Sequence, residues 1–285
     1  MFEIHEPQTV EEASRLLGEY GFDASVYAGG TELLILMKEG LVHYPHLVNV
    51  KTIPGLAEIA VEDGHLKIGS LATHRQILRS PVVKEHAPLL AEVERTVANV
   101  RVRAAGTIGG NLCFAEPHSD PATLLMAWGA SIELTSASGS RELPVEEFLL
   151  GLFATARQDD EILTAIRMPL PPEGMVGAYR KFTTHERPTA CAVALLKITD
   201  GVIEDARLSI GSVGPLPVRV RAAEDVLRGE GPGGAAFEAA AEAAFQAADP
   251  VDDIYGSAAY KKNLIRVLTT RALDEAAEKA AGGTS

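Results

Sequence analysis

Two glycine-centred segments carry the residue types that an anion-binding site needs. They read AGGTELL at 28–34 and TIGGN at 107–111. Each follows a stretch that is typical of an extended strand or a turn, so bare backbone N–H groups can donate to a phosphate. We therefore predict that both segments hold an anionic ligand. For either segment taken alone, a tight connection that binds nothing is the alternative.

The side chains of the two segments strengthen this prediction. Thr31 is predicted to N-cap a helix from about Glu32 to Glu39, and a helix N-terminus behind a glycine turn attracts anions. In the second segment, Thr107 and Asn111 add side-chain hydrogen-bonding groups. Together the two segments predict a diphosphate that is gripped from two sides.

These motifs, with LVNVKTIPGL at 47–56, IGSLATH at 68–74 and YRKF at 179–182, closely resemble the FAD-binding subunit of molybdenum hydroxylases. The similarity extends to Pro117 and Asp120 and covers essentially the whole chain. Within that group, the chain resembles the medium subunit of carbon monoxide dehydrogenase and the flavin domain of xanthine dehydrogenase. The resemblance implies that FAD is the cofactor, bound noncovalently through both glycine segments.

The resemblance also implies which residues contact the cofactor, and none of them is expected to be catalytic or to bind a metal. The expected contacts are Ala28, Gly29, Gly30, Thr31, Glu32, Leu33, Thr73, Thr107, Ile108, Gly109, Gly110, Asn111, Asp120 and Lys181. Asp120 is expected at the ribityl chain or the ring, and Lys181 at the N1 and C2 carbonyl edge of the flavin. A helix cap is the alternative for Asp120, and a solvated strand lysine for Lys181. For Glu32, a structural role stands against a hydrogen bond to a cofactor hydroxyl.

By the same resemblance, the chain is an FAD-carrying electron-transfer subunit. A separate large subunit would bind molybdopterin and hydroxylate the substrate, and a small subunit with 2Fe-2S clusters would pass electrons to this chain. The implied assembly is a dimer of heterotrimers, and the acceptor is NAD, a quinone or oxygen. Two alternatives stay open: a self-sufficient flavin oxidoreductase, and a non-catalytic nucleotide-binding assembly protein. The stretch 182–191 departs from the family pattern, so no flavin contact is transferred to it.

Composition argues against several other classes of function. The 285 residues carry a formal net charge of −13 without a basic stripe, which disfavours nucleic acid as a partner. No secretory signal or membrane-spanning apolar run is visible, so a soluble cytoplasmic protein is expected. Cys113 and Cys191 are the only cysteines, too few for an iron–sulfur cluster with about four thiolate ligands. No histidine pair shows metal-ligand spacing with supporting carboxylates, and His43 with His46 is not expected to bind zinc.

The element pattern predicts an α+β fold in which an FAD-binding domain at 1–172 precedes a C-terminal domain at 173–285. Alternating helices and strands over about 1–55 predict a small parallel sheet, and 56–172 reads as a larger α+β subdomain. The proline-rich stretch 168–174 marks the domain boundary. Beyond it, two β-like runs around an Asp-Gly turn predict a small antiparallel sheet packed on three helices. The predicted helices lie near 9–18, 32–39, 73–80, 87–97, 220–227, 235–248 and 257–280, and the predicted strands near 24–28, 47–50, 65–68, 130–135, 190–198 and 202–210.

Overall fold

A small parallel sheet opens the fold. The computed structural model describes residues 2–184 and 186–282. The sheet has three strands in the order β1-β3-β2, and both strand pairs are parallel, as predicted. The elements of this part are β1 (Glu3–His5), α1 (Val10–Tyr20), β2 (Ala24–Tyr27), α2 (Leu33–Lys38) and β3 (His46–Asn49).

The two helices of this part begin differently. Thr9 N-caps α1, because its hydroxyl accepts the Glu12 N–H at 3.1 Å. Helix α2 begins at Leu33, and the residue at its N-cap is Glu32, which makes no side-chain capping bond. The prediction that Thr31 caps this helix is therefore wrong, since the chain is still turning at Thr31 and the helix starts two residues later.

A five-stranded antiparallel sheet and seven helices form the second, larger part. Its strand order is β4-β5-β10-β6-β7, with a separate two-stranded hairpin of β8 and β9. The predicted strands near 65–68 and 130–135 are confirmed, whereas the central strand β10 was not predicted. The elements are β4 (Ile59–Glu62), β5 (His65–Gly69), α3 (His74–Arg79), α4 (Pro81–His86), α5 (Pro88–Thr96), α6 (Val100–Ala105), α7 (Ile108–Phe114), α8 (Asp120–Trp128), β6 (Ser131–Ser136), β7 (Gly139–Pro144), α9 (Val145–Phe148), β8 (Leu149–Gly151), β9 (Ala154–Thr155) and β10 (Ile162–Pro169).

Helix α8 is buried along its whole length and packs against the C-terminal sheet. All nine of its residues are buried. Its N-cap is Ser119, whose hydroxyl accepts the Ala122 N–H at 3.1 Å, so Asp120 is the first helical residue and not the cap. Gly211 of the C-terminal sheet lies so close that a Cβ there would be 2.1 Å from Thr123 Oγ1. This tight packing fixes the position of Asp120 relative to that sheet.

The last part is a four-stranded antiparallel sheet with three helices, as predicted. The strand order is β11-β12-β13-β14. Asp200 and Gly201, both at positive φ, form the predicted hairpin turn. In the described ranges, no helix is apolar over a length that could cross a bilayer. The elements are β11 (Met175–Thr183), β12 (Pro188–Thr199), β13 (Val202–Gly211), β14 (Val218–Arg219), α10 (Arg221–Leu227), α11 (Gly234–Ala247) and α12 (Ala258–Ala281).

The connection between the last two parts is shorter than the proline-rich stretch predicts. Met168 and Pro169 belong to β10, so the link to β11 runs only from Leu170 to Gly174. The Pro169 carbonyl accepts a hydrogen bond from the Trp128 indole N–H at 2.8 Å. The division into domains at 1–172 and 173–285 stays a prediction.

Candidate cofactor site

The first glycine segment is a turn between β2 and α2. Gly30 has a φ of +70°, in the region where glycine meets no steric penalty. Gly29 lies against the backbone before the second segment, because a Cβ there would be 2.3 Å from the Ala105 carbonyl oxygen. Among the described residues, the backbone N–H groups of 29–33 have no hydrogen-bond acceptor. These five consecutive N–H groups, which have no acceptor among the described residues, lie where the backbone of Gly29 contacts that of Ala105, and they can hold an anion.

The second segment differs from the sequence expectation. Thr107 N-caps α7, so the two glycines lie inside the first turn of a helix. The N–H groups of Ile108 and Gly109 donate to the carbonyls of Ala72 and Ser70, at 3.1 and 2.9 Å. The Gly110 N–H donates to Thr107 Oγ1 at 3.1 Å. The expectation of bare N–H groups here is therefore wrong, since the neighbouring 70–72 backbone uses them.

Two groups of the second segment still face outward. Gly110 is exposed, and a Cβ at this position would meet only Thr107 Oγ1 within contact distance, at 2.9 Å. Asn111 accepts a hydrogen bond from the Ser119 hydroxyl at 2.5 Å through Oδ1, while its amide nitrogen has no partner among the described residues. This face of α7 is open to a ligand.

The IGSLATH segment joins the two glycine segments. Thr73 caps α3 with a reciprocal bond to Gln76, and it forms an antiparallel bridge with Thr107. The next N–H, that of His74, donates to the Gly106 carbonyl at 3.1 Å. A Cβ on Gly106 would lie 3.3 Å from Thr31 Oγ1 and 3.3 Å from His74 Cδ2. The fold thus brings together the three segments that the sequence assigned to one site.

Asp120 and Lys181 meet beside these segments. Lys181 Nζ donates to Asp120 Oδ2 at 2.9 Å and to the Thr96 carbonyl at 2.8 Å. The Tyr179 hydroxyl donates to the other oxygen of Asp120. Only 16% of the Lys181 side chain is exposed, so the alternative of a solvated lysine is wrong. Burial raises the pKa of Asp120, against the opposing effects of the Lys181 charge and the Tyr179 hydrogen bond.

Arg187 bridges the first segment to the loop after the second. Its guanidinium lies 3.1 Å from Glu32 Oε1 and 2.9 Å from Glu116 Oε1. Burial raises the pKa of Glu32 in spite of Arg187. For Glu116, burial acts in the same direction but is outweighed by the His118 hydrogen bond and the charges of His118 and Arg187, so its pKa is lowered. The ion pair with Arg187 favours a structural role for Glu32 over a hydrogen bond to a cofactor hydroxyl.

Sequence reasoning missed Glu116 and Arg187 as parts of this site. Glu116 lies five positions beyond the TIGGN motif, which was a weak signal of its proximity. Arg187 is 155 positions from Glu32 and lies in the stretch that departs from the family pattern, so nothing local indicated it. Burial raises the pKa of both the Cys113 and the Cys191 thiol to about 11, so neither thiol is ionised at neutral pH and neither is a reactive nucleophile.

Comparison with protein families assigns the chain. The family model for the FAD binding domain in molybdopterin dehydrogenase matches residues 1–171, more than half of the chain. The chain belongs to this family. A second model, for the CO dehydrogenase flavoprotein C-terminal domain, matches residues 177–276. The protein is thus an FAD-binding medium subunit of the molybdenum hydroxylase type, an oxidoreductase subunit whose cofactor is FAD.

Individual relatives of this FAD-binding subunit match over nearly their whole length. The carbon monoxide dehydrogenase medium chain of Hydrogenophaga pseudoflava is 33% identical over 277 residues, which are 96% of each chain. The 6-hydroxypseudooxynicotine dehydrogenase complex subunit alpha of Paenarthrobacter nicotinovorans is 31% identical, over 95% of this chain and 93% of that one. A solved structure of the Hydrogenophaga pseudoflava carbon monoxide dehydrogenase superimposes with a TM-score of 0.95 at 34% identity, covering 98% of both chains. The fold class predicted from the sequence is confirmed by this match.

Proposed function

We propose that this subunit holds the FAD diphosphate at the first glycine segment and passes electrons through the bound flavin to an external acceptor. The observation that carries the proposal is the run of unpaired N–H groups at 29–33. An oxyanion would satisfy these donors, which otherwise depend on water. Ala28 precedes this run, Leu33 is its last residue, and Thr31 lies at its centre. Thr107, Ile108 and Gly109 are buried, and the N–H groups of Ile108 and Gly109 are already bonded, so with Thr73 these residues would position the two glycine segments rather than contact the cofactor.

The outward face of α7 supplies the second side of the grip. Gly110 leaves this face without a side chain, so a phosphate can approach the backbone closely. The free amide nitrogen of Asn111 can donate to the same group, because the Ser119 hydroxyl fixes its orientation. Diphosphate binding thus depends on backbone N–H donors at the first glycine segment and on the Asn111 side-chain amide at the second.

Lys181 would act at the ring of the flavin. Bound FAD supplies the redox chemistry, since its isoalloxazine ring accepts and releases electrons. A lysine ammonium has three N–H donors, and Lys181 uses two of them on Asp120 and Thr96. The third is free to donate to a flavin oxygen or nitrogen. Asp120 and Tyr179 hold the ammonium in position, so that its charge lies where negative charge develops on reduction.

Electrons would reach this subunit from 2Fe-2S clusters in a separate small subunit. The relatives support this part of the proposal, because they carry the names of a medium chain and of a complex subunit. The chain has only two cysteines, so it cannot hold a cluster of its own. We further propose a molybdopterin-binding large subunit as the third component, and a dimer of heterotrimers as the assembly.

Co-purification with spectroscopy tests this proposal. The tagged chain, expressed with its neighbouring genes, is expected to carry oxidised flavin absorption and to bring down an iron–sulfur subunit and a molybdopterin subunit. Anaerobic titration with dithionite should then reduce both the clusters and the flavin. A chain that turns over a substrate alone would indicate a self-sufficient flavin oxidoreductase. A colourless chain that binds nucleotides without redox chemistry would indicate an assembly protein. Either result would overturn the electron-transfer proposal.

A further inference from the structure

A second cluster of side chains with ligand atoms lies at the opposite edge of the small sheet from β2. It consists of Glu3 and His5 on β1 and His46 on the neighbouring β3. The parallel register pairs Glu3 with His46, and alternation along β1 puts Glu3 and His5 on one face. His46 Nδ1 lies 3.0 Å from His5 Nε2 and 3.8 Å from Glu3 Oε2.

Tyr20 holds the two imidazoles in this arrangement. This residue ends α1, and its ring stacks on His46 with centroids 3.8 Å apart and planes inclined by 15°. It also stacks on His5, with centroids 5.0 Å apart and an inclination of 26°. Stacking on one tyrosine restricts rotation of both imidazoles. The two ring nitrogens therefore converge with little freedom to turn away.

We propose that Glu3, His5 and His46 form a binding site for a divalent transition-metal ion, with Zn²⁺ as the best match. Their three ligand atoms lie within 4.8 Å of one another. An ion about 2.0 to 2.2 Å from two ligand atoms spans at most about 4.4 Å between them, and the separations of 3.0 and 3.8 Å from His46 Nδ1 to His5 and Glu3 lie within that limit. Two imidazoles and one carboxylate are the ligands that zinc, copper and nickel prefer, whereas calcium and magnesium take oxygen ligands. Water would fill the fourth tetrahedral position.

The same two nitrogens can instead share a proton, because the 3.0 Å contact is also a hydrogen bond between the imidazoles. The metal ion would take the place of that proton. Glu3 favours the metal ion over the shared proton. Its carboxylate lies on the same face and supplies a third, negatively charged ligand, which a proton shared by two imidazoles does not need. This site is independent of FAD, so it stands or fails separately from the proposed function.

No local sequence pattern predicts this cluster, because His5 and His46 are 41 positions apart. A parallel strand pair brings the two residues together. A bound ion would join β1, a three-residue edge strand, to the neighbouring strand β3. We therefore expect Zn²⁺ to protect the N-terminal edge of the sheet from local opening.

Calorimetric titration of the full-length, chelator-treated protein with ZnCl₂ tests the site. The wild-type chain is expected to bind one ion per chain, and His5→Gln to bind it at least tenfold more weakly. His65→Gln is the matched control, because His65 lies at the start of β5 and bonds only its neighbour's backbone. Electron paramagnetic resonance with Cu²⁺ should detect two coordinated nitrogens in the wild type and one in His5→Gln.

Glu3→Gln guards against a folding defect in the histidine variant. The Glu3 side chain is 67% exposed, so this change leaves the sheet intact while removing one ligand charge. Weaker binding in Glu3→Gln, with normal circular dichroism and FAD content, supports the site. The proposal is overturned if the wild type shows no saturable binding. It is equally overturned if the titrations of wild type, His5→Gln and Glu3→Gln coincide, since the ion would then bind elsewhere.

Discussion

Lys181 Nζ lies 2.9 Å from Asp120 Oδ2, although β11 and α8 carry the two residues 61 positions apart. The side chains are 16% and 5% exposed, so the pair is shielded from water. The carboxylate accepts a second bond from Tyr179, and the ammonium donates a second bond to Thr96. A buried pair of this kind is costly to break from one side, because the remaining charge is left uncompensated.

Replacing Lys181 with methionine tests the role of its charge at the flavin. A hydrogen bond from a charged donor contributes about 1.5 to 3 kcal/mol, so the two-electron potential of bound FAD should fall by roughly 30 to 60 mV. The direction follows because an ammonium at the proposed position would stabilise the reduced, anionic flavin. Anaerobic redox titration measures the change. Lys197→Met is the control, since Lys197 pairs with Glu204 on the adjacent strand and should leave the potential unchanged. An unchanged or raised potential in Lys181→Met would contradict the assignment.

Asp120→Asn tests the partner of that lysine. The change removes a buried negative charge while keeping the shape of the side chain, so the ammonium acts on the flavin without a counter-charge. We expect the flavin potential to rise, opposite in sign to the effect of Lys181→Met. Redox titration measures this change. A lowered potential would mean that Asp120 does not act through Lys181.

Gly110→Asp tests the outward face of α7. A Cβ there would lie 2.9 Å from Thr107 Oγ1, the hydroxyl that caps α7, so aspartate and asparagine both require this hydroxyl to shift, whereas only the aspartate carboxylate repels the diphosphate. We expect the Kd for FAD to rise more than tenfold, equivalent to about 1.4 kcal/mol or more. Gly110→Asn has the same shape without the charge, and it should keep most of the bound flavin. Equal FAD content in the two variants would show that no phosphate lies against this face.

Local signals predicted much of this fold. The caps Thr9 and Ser257 and the turn at Asp200-Gly201 depend on neighbours within three or four residues, and the structure confirms helices and a hairpin there. Helix α8 was missed because it has no polar face to produce a helical periodicity, being buried on all sides. Strand β10 was missed because it lies at the centre of its sheet, between two strands that are distant in sequence.

The site was less predictable from local signals than the fold. The sequence identified the glycine segments, but the N–H groups of Ile108 and Gly109 are taken by the turn after β5, at Ala72 and Ser70, a non-local pairing that no motif encodes. Family resemblance named Asp120 and Lys181 as cofactor contacts but did not predict that the two side chains pair. Arg187 had no signal, because an ion pair over 155 positions depends on the assembled fold.

The buried pair of His74 and Glu94 predicts a pH-dependent stability. His74 Nδ1 lies 2.6 Å from Glu94 Oε2, and both side chains are almost fully inaccessible. Burial lowers the pKa of His74, but the Glu94 charge and hydrogen bond, helped by Asp120 and opposed by Arg103, raise it above its usual value. A raised folded-state pKa stabilises the protein fully below about pH 6.5, and this contribution is lost as the pH rises through the folded-state value.

His74→Gln should remove that pH dependence. We expect the wild-type free energy of unfolding to fall from about pH 6 upward, by about 1.4 kcal/mol for each unit by which folding raises the pKa. The glutamine variant should be less stable at low pH and show a flatter profile. Urea unfolding across this pH range measures both. His65→Gln, at an accessible site, should keep the wild-type slope. Parallel slopes in wild type and His74→Gln would contradict the assignment.

Replacing Arg187 with alanine should speed FAD release while leaving the stability of the fold nearly unchanged. Its guanidinium neutralises Glu32 at the first glycine segment and Glu116 after the second. In Arg187→Ala these carboxylates would face the diphosphate uncompensated, so FAD should dissociate roughly tenfold faster, equivalent to about 1.4 kcal/mol. The melting temperature should change little, since partly exposed ion pairs contribute about 0 to 1 kcal/mol. Arg221→Ala removes a comparable exposed pair, with Glu146, far from the glycine segments, and should leave the release rate unchanged. Stopped-flow fluorescence of released flavin measures the rates. Equal rates in Arg187→Ala and wild type would show that the Arg187 ion pairs with Glu32 and Glu116 do not slow FAD dissociation.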